Sequence, residues 1–188
     1  MQTPFVAEID RLCKENDLIL IVDEVQTGNG RTGKLYAYMH YGIQPDVVST
    51  AKGLAGGLPL GATMLGEKVK DIFEPGLNGS TFGGNPICCS GAVSVLSRLT
   101  DEFLDEVTEK ANLIREKLEG AEGIEGISGL GLMMGIKTTK EAKEVVNYCM
   151  DKGVLVLTAK DRVRLLPPLN IEMELLVKAL EIIKEACK

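Results

Sequence analysis

Histidine is almost absent, for the 188-residue chain has one, His40. Neither a serine-hydrolase triad nor a histidine metal cluster can be assembled around it, and it reads as a surface or packing residue. Long apolar runs are also missing. None approaches the roughly 18 residues of a membrane-spanning helix, so no membrane partner is expected. Met1 to Glu8 lack the basic start and hydrophobic stretch of a secretion signal. Clustered positive charge is lacking too. Lys and Arg number 21 against 27 Asp and Glu, a net charge of -6, which argues against nucleic acid as the main partner. The five cysteines, Cys13, Cys88, Cys89, Cys149 and Cys187, are odd in number and match no zinc spacing. They read as buried reduced thiols, and a cytoplasmic location is the expectation.

What is present is an ordinary apolar share of 45%, arranged in two styles. Phe5, Val6, Ile9, Leu12 and Cys13 recur at helical spacing and predict a helix ending near Asn16. Leu18 to Val22 is a continuous apolar run and reads as a buried strand of a parallel sheet. It stops at Asp23-Glu24, and polar residues just past the carboxyl end of such a strand lie where open α/β sheets bind ligands. Thr27 to Gly33 is a glycine-rich loop. A short helix is predicted over Leu35 to His40 and a second strand over Asp46 to Thr50, feeding Ala51-Lys52-Gly53. A third strand over Ala62 to Leu65 and a brief helix over Lys68 to Phe73 follow. A helix should begin at Asn85-Pro86, where proline suits the first helical position, and run through Leu99.

From about residue 100 the pattern becomes α+β. A helix over Glu102 to Leu118 carries Phe103, Val107, Ala111, Ile114 and Leu118 on one side. Ile127 to Ile136 reads as one strand. Thr138 with Glu141 has capping-box spacing and opens a helix to Met150 that Gly153 ends. Short strands over Val154 to Leu157 and Val163 to Leu166 precede a terminal helix, Glu172 to Ala186.

Four places could carry chemistry. Lys52 stands beside glycines that would let a bulky planar group approach, as a Schiff-base lysine needs, although a lone loop lysine ordinarily faces solvent. Asp23, at a strand end, could pair with a pyridine nitrogen and keep it protonated, or could be an ordinary strand terminator. Its neighbours Val25 and Gln26 could pack on a ring and donate to a phenolic oxygen. Ser80-Thr81-Phe82-Gly83-Gly84-Asn85 offers hydroxyls and amides before a helix, as a phosphate site does, or is a capped glycine turn; it is no P-loop. Arg164, in an apolar strand, must be ion-paired or must serve a carboxylate ligand. Arg162 is the less constrained neighbour.

Together these segments resemble the class III pyridoxal-phosphate aminotransferases, most nearly the acetylornithine branch. The likeness rests on five stretches in order: Leu20 to Gly28, Gly30 to Gly33, Pro45 to Leu54, Gly79 to Pro86, and Val163 to Leu169. It implies the C-terminal part of a fold-type I α/β large domain over 1–99 and a small α+β C-terminal domain over 100–188. It implies pyridoxal 5'-phosphate as cofactor, with Lys52 condensing with its aldehyde and moving the substrate proton. Asp23 would pair with the ring nitrogen, and Glu24, Val25 and Gln26 would complete the cofactor segment. In a homodimer, Thr81 would reach the phosphate of the cofactor held mainly by the other subunit. Ser80 would border the substrate, and Arg164 would bind its α-carboxylate. The implied substrates are an amino acid and a 2-oxo acid: N-acetylornithine giving its δ-amino group to 2-oxoglutarate.

Members of that family are about twice as long. A glycine phosphate turn, a ring-stacking aromatic and a substrate arginine are therefore expected to be missing, and the 188-residue chain alone is expected to be inactive or nearly so. Other readings stay open. The donor could be ornithine, 4-aminobutyrate or a carrier-linked lysine, or the chain could be a non-catalytic dimerisation or interaction module.

Overall fold

The computed structural model describes residues 3–188; Met1 and Gln2, where the stretch read for a secretion signal begins, lie outside them. The described chain divides into two compact units. One holds the residues up to Gly30 together with Lys34–Asp101, and the other holds Arg31–Gly33 with Glu102–Lys188.

In the first unit, helix α1 (Thr3–Glu15) precedes strand β1 (Ile21–Asp23). A 3-10 turn at Ala37–Tyr41 leads to β2 (Val47–Thr50), and a second at Lys52–Ala55 leads to β3 (Ala62–Leu65). Helix α2 (Pro86–Leu96) closes the unit. The sheet order is β1-β2-β3, with β1 parallel and β3 antiparallel to β2. The strand expected over Leu18 to Val22 is shorter and shifted, and it is not buried: Ile21 is 66% exposed. β1 is the edge strand of the described sheet. Lys68 to Asp71 form turns rather than a helix. α2 begins where proline placed it, with Asn85 Oδ1 accepting from the amides of Ile87 and Cys88 at 3.0 and 3.3 Å.

In the second unit, α3 (Asp101–Leu118) precedes the hairpin β4 (Ile124–Leu130) and β5 (Met133–Thr138). Then come α4 (Ala142–Asp151), β6 (Leu157–Ala159), β7 (Arg162–Leu165) and α5 (Met173–Cys187). The antiparallel sheet runs β4-β5-β7-β6. Ile127 to Ile136 is thus two strands, not one. The turn is hidden in sequence because Leu132 within it is fully buried, while Gly131 has φ +53° and no room for a Cβ, which would lie 2.5 Å from the Arg31 carbonyl. The capping box also fails to form. Thr138 donates to the Lys140 carbonyl at 2.8 Å, and the N-cap is Glu141 without a side-chain bond. Gly153, at φ +83°, does end α4.

Val107, Ile114 and Leu118 of α3 are wholly buried against Leu132, Ile136, Val163 and Leu180. Each such side chain contributes roughly 1.5–3 kcal/mol on leaving water. Arg31 is tied into this unit: its Nη1 donates to the carbonyls of Leu132 and Pro167 at 3.2 and 2.6 Å, and its own carbonyl accepts from the Leu132 amide at 3.0 Å. These bonds explain why Arg31–Gly33 leaves the unit to which the rest of its glycine-rich loop belongs.

Candidate active site

Asp23 closes β1 and lies in register with Ser49 of the parallel strand β2. Lys52 follows three residues later, so a carboxylate and an amine stand at the carboxyl ends of adjacent parallel strands. That is the end of an α/β sheet at which ligands bind. The Asp23 carboxylate is held in place, with Oδ1 accepting from the Val25 amide at 2.9 Å and lying 3.4 Å from Ser49 Oγ. The Glu24 amide donates to the Ser49 carbonyl at 2.8 Å and extends the pairing one residue past the strand.

Lys52 is exposed and has φ +52°. A left-handed conformation at a residue other than glycine costs about 1–3 kcal/mol and persists where its surroundings enforce it, commonly at functional sites. The turn it opens, with the Leu54 amide donating to the Ala51 carbonyl at 3.1 Å, buries Leu54 and Ala55 against Ala92 of α2.

A buried polar wall joins the two strand ends. Glu24 is fully buried; its Oε1 accepts from the Tyr38 amide at 2.8 Å, and its Oε2 accepts from the Thr27 hydroxyl. Tyr36 stacks on Tyr38 with ring centroids 5.9 Å apart and is hydrogen-bonded to Thr50. Burial pushes the Tyr36 phenol above its ordinary pKa; Tyr38 and the Glu24 charge add to that, and the bond to Thr50 opposes it. Gly28 is required here, because a Cβ would lie 2.8 Å from the Glu24 carbonyl and 2.9 Å from Tyr36 Cδ1. Glu24 therefore anchors the loop that carries Val25, half-buried, and Gln26, exposed.

Ser80 and Thr81 lie in the exposed loop before α2, where the Gly83 amide donates to the Ser80 carbonyl at 3.0 Å. Arg164 belongs to the second unit. It sits on β7 between Gly135 of β5 and Leu157 of β6, on the face opposite the buried Val163 and Leu165. Burial, and then the like charge of Arg164, push the Arg31 guanidinium below its ordinary pKa. His40 is exposed. All five cysteines are free thiols, with Cys88, Cys149 and Cys187 buried. Sequence reasoning passed over Asn29, Tyr36 and Thr50, whose importance depends on the two strands being neighbours.

An amine and a carboxylate at one end of a parallel strand pair, in a mixed α/β unit followed by a smaller α+β unit, define a ligand-binding α/β enzyme of the fold-type I kind. The chain belongs to the class III aminotransferases: the family model described as "Aminotransferase class-III" matches residues 1–187. It is 44% identical over 183 residues to an acetylornithine aminotransferase of Haemophilus ducreyi, covering 96% of this chain and 47% of that one. Among solved structures, it resembles acetylornithine aminotransferase from Elizabethkingia anophelis with TM-score 0.89 and 33% identity, covering 98% of this chain and 51% of that one. The ornithine delta-aminotransferase of Plasmodium falciparum gives TM-score 0.88 and 31% identity, covering 99% and 51%. The chain spans about half the length of the curated relatives it matches. Pyridoxal phosphate is the cofactor of this class, and the donors present suit it: a primary amine for its aldehyde and a fixed carboxylate for its ring nitrogen.

Proposed function

We propose that this chain carries the cofactor lysine and substrate arginine of an aminotransferase that moves the δ-amino group of N-acetylornithine to 2-oxoglutarate. The products are N-acetylglutamate 5-semialdehyde and glutamate. The observation that carries the reading is the placement of Asp23 and Lys52 at the carboxyl ends of β1 and β2. The names of the relatives favour acetylornithine over ornithine, 4-aminobutyrate or a carrier-linked lysine as donor.

Bound pyridoxal phosphate supplies an electron-withdrawing ring that takes up the electron pair released at the substrate carbon. Asp23 would hold a proton at the ring nitrogen. Lys52 Nζ would hold the cofactor's aldehyde and would serve as the base at the substrate carbon. Val25 would pack on the ring and Gln26 would donate to its phenolic oxygen, with the Glu24 carboxylate keeping their loop in place. Arg164 clamps the α-carboxylate, and Ser80 borders the substrate. Thr81, in its exposed loop, would donate to the phosphate held mainly by a second copy of the protein, which would make the working form a homodimer. A cytoplasmic location completes the proposal; among the described residues no helix is long and apolar enough to cross a membrane.

A second reading, a non-catalytic interaction module, is favoured by the apolar edge of the first unit, where Leu18, Ile19 and Ile21 are at least half exposed. Visible absorption of the pyridoxal-phosphate-loaded protein, followed as each amino donor is added in turn, separates the two. In a subunit of the relatives' full length that carries this chain, the proposal expects N-acetylornithine to bleach the cofactor band faster than ornithine or 4-aminobutyrate, and 2-oxoglutarate to restore it. A band that no donor alters would leave the interaction module.

A further inference from the structure

We infer that Asn29 is a positioning residue for Lys52, holding the end of β2 so that the lysine leaves the strand in its left-handed conformation. The inference rests on the assignment of Lys52 as the cofactor lysine. Asn29 is only 7% exposed and has φ +55°, a conformation that asparagine tolerates better than most residues. Its Nδ2 donates twice, to Thr50 Oγ1 and to the Ala51 carbonyl, both at 3.1 Å. Those are the two residues immediately before Lys52.

The second bond matters most. The Ala51 carbonyl shares one rigid peptide plane with the Lys52 nitrogen. It accepts from Asn29 on one side and from the Leu54 amide on the other. With the plane fixed between two donors, rotation into the ordinary right-handed region would break one of them. The Asn29 amide can face only one way, because a carbonyl accepts and does not donate. Both donors of the amide therefore serve the lysine end.

The support behind Asn29 is stiff as well. The Gly28 amide donates to the Glu24 carbonyl at 2.9 Å, and the Gly30 amide donates to the Leu35 carbonyl at 3.2 Å. Gly28 itself has no room for a Cβ. The loop that fixes Asp23 thus also fixes the backbone that presents Lys52, which couples the two groups through one asparagine.

Two variants test this. Asn29→Asp keeps the size and backbone preference but replaces the donor with an acceptor facing the Ala51 carbonyl. Asn29→Gly keeps the backbone freedom and removes the side chain. Hydrogen exchange resolved to single amides should show Leu54 exchanging about tenfold faster in both variants, the effect of losing one net hydrogen bond. The β2–β3 amides should be unchanged. Reductive trapping with pyridoxal phosphate and borohydride, read by peptide mass, should show the Lys52 share of labelled lysine falling about tenfold. Unchanged exchange at Leu54 in both variants overturns the proposal. Loss of β2–β3 protection in both overturns it too, by making Asn29 a general structural residue. If the parent protein shows no preferential trapping at Lys52 while Leu54 still responds, the cofactor assignment fails and the positioning role stands.

Discussion

The two units hold themselves together by different means. The second closes around eighteen buried residues in one cluster, whereas the main cluster of the first has three, Leu54, Ala55 and Ala92. Exposure follows the same division: among the described residues fifteen exposed large apolar side chains belong to the first unit and seven to the second. Yet the first unit carries Asp23 and Lys52. Its candidate site is fixed by buried polar groups and tight turns, Glu24, Gly28, Asn29 and Thr50, and hardly at all by core volume. On the proposed function, stability and chemistry are thus largely separated along the chain, with Arg164 the residue that the sheet of the second unit would contribute.

The comparison breaks most readily in the second core. Ile114→Ala or Leu180→Ala, at fully buried positions, should lower stability by about 3–5 kcal/mol in urea denaturation. Leu54→Ala, in the small cluster of the first unit, should lower it by about 2 kcal/mol or less, because fewer neighbours lose contacts. Equal losses would contradict the contrast.

A smaller effect should appear in alkali. Burial, and then the neighbouring Cys149, push the Cys187 thiol up to about 11 from an ordinary value near 9, with Lys140 opposing. Burial pushes Cys149 up as well. Because the folded value is raised, the contribution is complete below about pH 9 and is lost as pH rises through about 11. Its upper limit is about 3 kcal/mol. Urea midpoints between about pH 8 and pH 11 should fall less steeply in Cys187→Ala than in the parent; identical slopes would show that the thiol is not held protonated by the fold.

Gly28→Ala sharpens the comparison on the other side. The added methyl has no room beside the Glu24 carbonyl and Tyr36, and overpacking of this kind costs about 1–3 kcal/mol. Amide exchange should rise in the first unit and stay unchanged in the second. The smallest effect belongs to Arg11, whose ion pairs with Glu8 and Glu15 are exposed on α1. Arg11→Ala should leave the urea midpoint where it is, since screened surface pairs contribute little; a clear shift would give α1 a larger share in the first unit than its burial suggests.

Sequence made some of this legible. Pro86 placed the start of α2, Gly153 the end of α4, and the apolar stripe of α3 its buried face, because each signal is local. Asp23 and Lys52 could be read as strand-end residues for the same reason. What was not legible depends on neighbours. Ile21 looks like a buried strand residue, yet whether a strand is covered is decided by other strands. The hairpin at Gly131 was masked by Leu132, an apolar side chain buried within a turn. Thr138 and Glu141 have the spacing of a cap, but Thr138 found a nearer acceptor in Lys140. Asn29 left only a faint signal, an asparagine between two glycines where a left-handed residue fits. Its contact with Ala51 spans 22 positions.

Reductive trapping bears most directly on the central claim, that the first unit presents Lys52 as the cofactor lysine. The protein is loaded with pyridoxal phosphate, reduced with borohydride and digested, and the adducts are located by peptide mass. A phosphopyridoxyl group predominantly on Lys52, lost in Lys52→Ala and weakened in Asp23→Ala, is the predicted result. Reproducible labelling of other lysines with Lys52 unmodified would contradict it.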